Sequence, residues 1–161
     1  MTVFKRSHEQ QVKRELELSQ RMAAKADDEQ RRLIELKTKA GPQIAKVRAF
    51  FQKQCEGATN FGFQAAVDDI EDSSPLRYGV ALSMSKIAGV RSNRLYLSLR
   101  VTVQDDDRVR VSVHHDSRGQ NRGEFDSALR EDLGPIDHPD IIPRVEAQLE
   151  KVVNVLDKNS R

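Results

Sequence analysis

The spacing of apolar residues changes period along the chain, and the changes mark the elements. Residues 5–40 contain neither Gly nor Pro and are rich in Ala, Leu, Glu, Lys, Arg and Gln, all good helix formers. Acid-to-base pairs recur four residues apart: Glu9 with Lys13, Glu17 with Arg21, Asp27 with Arg31, Asp28 with Arg32, and Glu35 with Lys39. The pattern predicts one long, solvated helix with a thin apolar stripe of Met22, Ala26, Leu33, Leu36 and Ala40. A second seam, Val12, Leu16, Ser19, Ala23 and Ala26, runs beside it, and neither forms clean heptads. A helix of roughly 35 residues is about 50 Å long, more than one small domain covers. Part of it is therefore expected to project or to pair with another chain.

Gly41-Pro42 reads as the end of this helix and the start of a second, because Gly suits the position after a helix and Pro the first turn of the next. The second helix is expected to reach about Glu56, with Ile44, Val47, Phe51 and Cys55 on one face.

Alternation of period two begins at Phe61 and recurs in four segments. Their apolar faces are Phe61, Phe63, Ala65 and Val67; then Leu76, Tyr78, Val80, Leu82 and Met84; then Leu95, Leu97, Leu99, Val101 and Val103; then Val109, Val111 and Val113. This predicts a four-stranded antiparallel meander with one apolar and one polar face. Matching apolar faces pairs Val103 with Val109 and Val101 with Val111, leaving Asp105–Asp107 as a three-residue loop. The same argument pairs Leu82 with Leu97 and Val80 with Leu99, across a connection near Ala88–Ser92. Residues 116–123 read as loop, and Phe125, Ala128, Leu129 and Leu133 as a short helix stopped by Gly134-Pro135. A last helix is expected from Asp140 as N-cap, with Ile142, Val145, Leu149, Val152, Val153 and Leu156 across the sheet. The fold class is therefore α+β, with residues 1–40 as a charged association helix and 41–161 as the α+β domain.

Charge adds detail. The 161 residues carry 27 Lys and Arg against 25 Asp and Glu, a net charge of +2, with a mean hydropathy of −0.66. This balance excludes a uniformly basic nucleic-acid binder and a strongly acidic disordered chain. The total conceals blocks: +3 over residues 1–40, −4 over 61–75, +5 over 76–104, −3 over 105–107, +3 over 108–122 and −5 over 123–140. In a meander the acidic runs Asp68–Asp72 and Asp105–Asp107 fall at one end, and Lys86, Arg91, Arg94, Arg118 and Arg122 at the other. The expected registers also cluster Arg77, Arg100 and Arg110 on the polar face among Gly79, Ser98, Thr102 and Ser112. Arg77, Arg100, Arg110, Lys86, Arg91 and Arg94 are thus the candidate anion-binding residues, for a nucleic acid or another polyanion. The competing expectation is that these cations neutralise nearby acidic loops, or that protein covers the face.

Catalytic chemistry finds no positive signal. Adjacent strand residues point to opposite faces, so His114 and His115 do not readily share a metal. The acidic runs lack EF-hand spacing, which leaves a metal-dependent hydrolase as a third class without a supporting motif. Ser83-Met84-Ser85-Lys86 matches a short S-x-x-K pattern but falls in a strand, whereas that motif works from a helix start. Phosphate-binding and nucleophile-elbow motifs are missing, and the single cysteine, Cys55, reads as core and excludes an intramolecular disulfide framework. No cofactor is expected. No apolar run is long enough to span a membrane, and a charged N-terminal stretch with a lone thiol gives a cytoplasmic expectation. The functional expectation is a non-enzymatic interaction protein that associates with itself or docks a protein partner through Val12, Leu16, Met22, Leu33 and Leu36, with polyanion binding as the alternative.

Overall fold

A computed structural model describes residues 2–87, 94–116, 118–119 and 121–159. The chain opens with a 53-residue helix, α1 (Val3–Cys55). Five strands follow: β1 (Phe63–Ser73), β2 (Leu76–Lys86), β3 (Tyr96–Val103), β4 (Arg108–His115) and β5 (Glu131–Pro135). A C-terminal helix, α2 (Ile141–Asn159), closes the fold. The strands form one antiparallel sheet in the order β1-β2-β3-β4-β5. The C-terminal part of α1 and all of α2 lie on its apolar face, an α+β arrangement in two layers.

The two helices expected on either side of Gly41-Pro42 are one. Local propensity argues for a break, since Gly costs about 1 and Pro about 3 kcal/mol inside a helix. The stripe Leu33, Leu36, Ala40, Ile44, Val47 and Phe51, however, runs straight across that dipeptide and is buried throughout. Each large aliphatic or aromatic side chain fully buried contributes about 1.5–3 kcal/mol, so the continuous stripe outweighs the local cost. Thr2 starts α1 by accepting the Lys5 N–H at 3.2 Å. At the other end Gly57 adopts φ 75°, a left-handed conformation that suits the residue after a helix.

The sheet has five strands where four were expected. Leu133, assigned above to a short helix, is fully buried in β5, which pairs with β4 through a bulge at Val109/Arg110. Only a single 3-10 turn, Ser127–Leu129, remains of that helix, capped by Asp126 accepting the Ala128 N–H at 2.9 Å. Phe61 lies outside β1 and is exposed, while β1 continues through the acids to Ser73. Full-length pairing with β2 overrides the low strand propensity of Asp and Glu, and charge is well tolerated on an edge strand.

The β3–β4 register is as expected: Val103 faces Val109, Val101 faces Val111, and Asp107 turns the loop with φ 60°. The β2–β3 register differs by two residues, with Leu82 on Leu99 and Val80 on Val101. A two-residue slide leaves every side chain on its own face, so matching faces fixes parity but not register. The expected connection, Ala88–Ser92, lies outside the described residues. The core comprises the inner faces of β2, β3 and β4 with Ile44, Val47 and Phe51 of α1 and Ile141, Val145, Val152 and Leu156 of α2.

Candidate interaction surfaces

Two surfaces lie away from the core: the exposed N-terminal part of α1 and the polar face of the sheet, where Ala81, Ser83, Ser85 and Ser98 are nonetheless buried. Residues 3–27 of α1 are exposed without exception, about 38 Å of helix at 1.5 Å per residue. They form an arm, and burial of the helix begins only as it reaches the sheet. The proposed docking residues divide at that point. Val12, Leu16 and Met22 are 49%, 57% and 64% exposed, together with Phe4 and Leu18. Leu33 and Leu36 are only 7% and 4% exposed, and Leu36 joins the core packed on the sheet, so the expectation of an accessible docking surface at these two is corrected. Their spacing from Ala40 and Ile44 was the available signal, and the assumed break at Gly41 concealed it.

The polar sheet face also departs from the expected arginine cluster. The slid register places Ala81, Arg100 and Ser112 in one row, with Gly79, Thr102 and Arg110 in the next. Arg77 lies beyond the last β2–β3 pair and bonds Asp72 of β1 at 3.3 Å. Arg110 grips Asp106 with both terminal nitrogens, one at 2.9 Å, and this fork holds the Asp106 carboxyl below its ordinary pKa. Lys86 is on the opposite, helix-bearing face, where it pairs with Asp157 of α2. Arg94 donates to Gln64 Oε1 at 2.8 Å and Ser85 Oγ at 3.0 Å, and its guanidinium stacks on Tyr96. Arg91 lies outside the described residues. Of the six candidates, Arg100 is the one that makes no ion pair or hydrogen bond among the described residues.

The two expected poles become paired charges as well. Asp68–Asp72 is strand rather than loop, so its members alternate between faces. Asp69 and Glu71 face the helices and meet Arg48 and Lys37 of α1. Asp68 faces the other way and accepts from Ser83 Oγ at 3.1 Å. Asp107 bonds Lys39 at 2.9 Å, and Asp132 bonds Arg108 at 2.7 Å. At the other end Arg118 is held by Asp116. The pairs to Lys37, Lys39, Arg48 and Arg108 are at the surface and fix geometry more than they add stability.

Around Arg100 the face is a shallow groove of small residues, Ala81, Ser83 and Ser98, bordered by the acidic run Asp68–Asp72 of β1 and by Asp116. Ser112 Oγ and His114 Nε2 lie 3.0 Å apart nearby. Burial, and then the positive charge of Arg100, push the His114 pKa down and favour neutral imidazole. His115 points to the helix side and meets the Phe125 ring edge-on at 5.3 Å. The two histidines therefore occupy opposite faces. Among the described residues no three His, Cys, Asp or Glu side chains are grouped to hold a metal, and no helix is long and apolar enough to cross a membrane.

No known protein family, curated protein or solved structure matches this chain.

Proposed function

We propose that the chain is a non-enzymatic interaction protein whose docking element is the N-terminal arm of α1. The observation that carries this reading is exposure. One unbroken helix buries a single stripe from Leu33 to Phe51 and is exposed at every residue from 3 to 27. The exposed Val12, Leu16, Leu18 and Met22 add nothing to the chain's own core. Covering that stripe with another protein surface would give those side chains a packing role.

The test is sedimentation of the full chain over a range of concentrations, beside a variant carrying Val12→Ser, Leu16→Ser and Met22→Ser. The variant should lose association while keeping the urea midpoint of the sheet. A chain that stays monomeric, with the variant indistinguishable from it in co-purifying partners, would remove the reading.

Polyanion binding at the sheet face is a second reading with one observation in its favour: Arg100 makes no ion pair among the described residues. A gel shift across a salt series tests it, because phosphate contacts release counterions and make affinity fall steeply with salt. Arg100→Ser should then weaken binding without unfolding the chain.

A further inference from the structure

We infer that the polar sheet face holds a binding site for a free α-amino acid, with Arg100 taking its carboxylate and Asp68 its ammonium. The inference is independent of the arm. It starts from two charges on that face that the fold does not pair. Asp72 and Arg77 bond each other, and Arg110 bonds Asp106. Asp68 makes no ion pair among the described residues and accepts only the Ser83 hydroxyl, so most of its acceptor capacity is open. Arg100 makes neither an ion pair nor a hydrogen bond among the described residues. The register sets the two in one row, Asp68 beside Ala81 and Ala81 beside Arg100. Neighbouring strands lie about 4.8 Å apart, so the two Cα atoms are about 10 Å apart, with only the Ala81 methyl between them in the row.

Other features distinguish this gap from two solvated charges. Asp68, Ala81, Ser83, Ser98 and Arg100 line one groove of about 340 Å³, within the size range of small-molecule sites. Ser98 is only 4% exposed, and its hydroxyl has no hydrogen-bond partner among the described residues, an uncommon state for a buried polar group. It stands two residues from Arg100 on the same face of β3. A carboxylate held by the Arg100 fork gives that hydroxyl an acceptor. The arrangement of charge then selects the ligand class. An anion alone would meet Arg100 but also the acidic run of β1 that borders the groove. A cation alone would meet the Arg100 charge. A molecule carrying both groups satisfies both ends and brings no net charge. With a hydrogen bond of about 3 Å at each end, the ammonium and carboxylate of one amino acid span a gap of that order. Asp116 is already forked by Arg118, so Asp68 is the carboxylate open to the ammonium. The small floor of Ala81 and Ser83 lets the ligand's own Cα approach the sheet.

The test is an NMR titration of the isotope-labelled full chain with L-alanine, beside propionate, which lacks the ammonium, and ethylamine, which lacks the carboxylate. The reporters are the Arg100 side-chain N–H and the backbone amides of Ala81, Ser98 and Arg100. L-alanine should shift these signals saturably, and each half-ligand should bind about tenfold more weakly or worse, the loss of one charge-assisted contact. Asp68→Asn should weaken L-alanine and leave propionate unchanged, whereas Arg100→Gln should weaken both. Asp68 is exposed and Arg100 half-buried, and the spectrum of each variant reports whether the sheet is intact. The ranking of the three probes on the native chain decides even where a variant fails to fold. Propionate binding as tightly as L-alanine would overturn the inference and leave a plain anion site at Arg100. Ethylamine binding as tightly would overturn it and leave a cation site on the acidic run. Saturable shifts that neither variant alters would place the ligand elsewhere, and the absence of a saturable shift with L-alanine would overturn the site altogether.

Discussion

Replacing Gly41 and Pro42 by Ala, singly and together, tests whether packing holds α1 continuous. Gly41 has negative φ, and a Cβ built on it meets nothing within 4 Å. Gly41→Ala should therefore recover the propensity difference, about 1 kcal/mol of added stability. Pro42 is exposed, so its ring contributes little packing. It lacks the N–H that would bond the Thr38 carbonyl, and its ring crowds that carbonyl. Pro42→Ala restores the bond and removes the crowding, a gain of up to about 3 kcal/mol, less whatever bending around the ring has already relieved. The sites are adjacent, so the double variant need not equal the sum of the singles. The assay is urea denaturation followed by the tyrosine signal, since Tyr78 in β2 and Tyr96 in β3 report on the sheet rather than on the arm. The expected result is a higher midpoint at unchanged slope, Pro42→Ala exceeding Gly41→Ala. A lower midpoint for Pro42→Ala would refute the reasoning. It would mean that a bend at Pro42 seats Ile44, Val47 and Phe51, and that the proline directs the packing it is here said to resist.

Three further outcomes follow from other parts of the molecule. Leu36→Ala should cost about 2–5 kcal/mol in urea denaturation as a core truncation, while Leu16→Ala on the arm should stay within about 0.5 kcal/mol; similar costs for both would place the arm in the fold's own core. Gly79→Ala should destabilise the chain by about 1–3 kcal/mol or prevent folding, because the added Cβ would fall 2.0 Å from the Val101 carbonyl oxygen, a backbone atom that cannot step aside; thermal melting reads it. Because burial and Arg100 hold the folded His114 pKa below its unfolded value, the unfolded chain binds the extra proton, and this contribution falls as pH drops below about 6.5 through the folded value. His114→Gln should flatten that part of the stability–pH curve, and an unchanged slope would show that His114 does not set it.

Periodicity made most of the fold legible. Alternating residues identified β2, β3 and β4 and assigned their faces correctly, because burial on one face demands period two whatever the neighbours are. What escaped was structure imposed by tertiary context. β5 carries one buried aliphatic, Leu133, among Glu131, Asp132, Gly134 and Pro135, and no five-residue pattern reads that as a strand until β4 offers its edge. The acids of β1 were mistaken for loop for the same reason. The candidate site fared less evenly. Exposure of the arm followed from its length and its thin stripe, but the arginine face depended on a register that parity does not determine. With β2 slid by two, Arg77 meets Asp72, and Arg100 makes no ion pair among the described residues.

The arm's weak seam bears on the kind of association it supports. One stripe of α1 changes environment near Leu33: beyond it every step is Leu, Ala, Ile, Val or Phe, and before it the same steps reach Glu29, Ser19 and Glu15 as well as Met22 and Val12. A seam of Leu at each of those positions would expose a long apolar patch on any unpaired chain and favour indiscriminate pairing. Charged and small residues lower the apolar gain. The expected association is therefore weak and reversible. Replacing Glu15 and Ser19 by Leu should tighten it, which sedimentation over a range of concentrations would show. If that variant paired no more tightly than the native chain, these two positions would not line the interface, and the seam continuous with the sheet-facing stripe would not be the one that pairs.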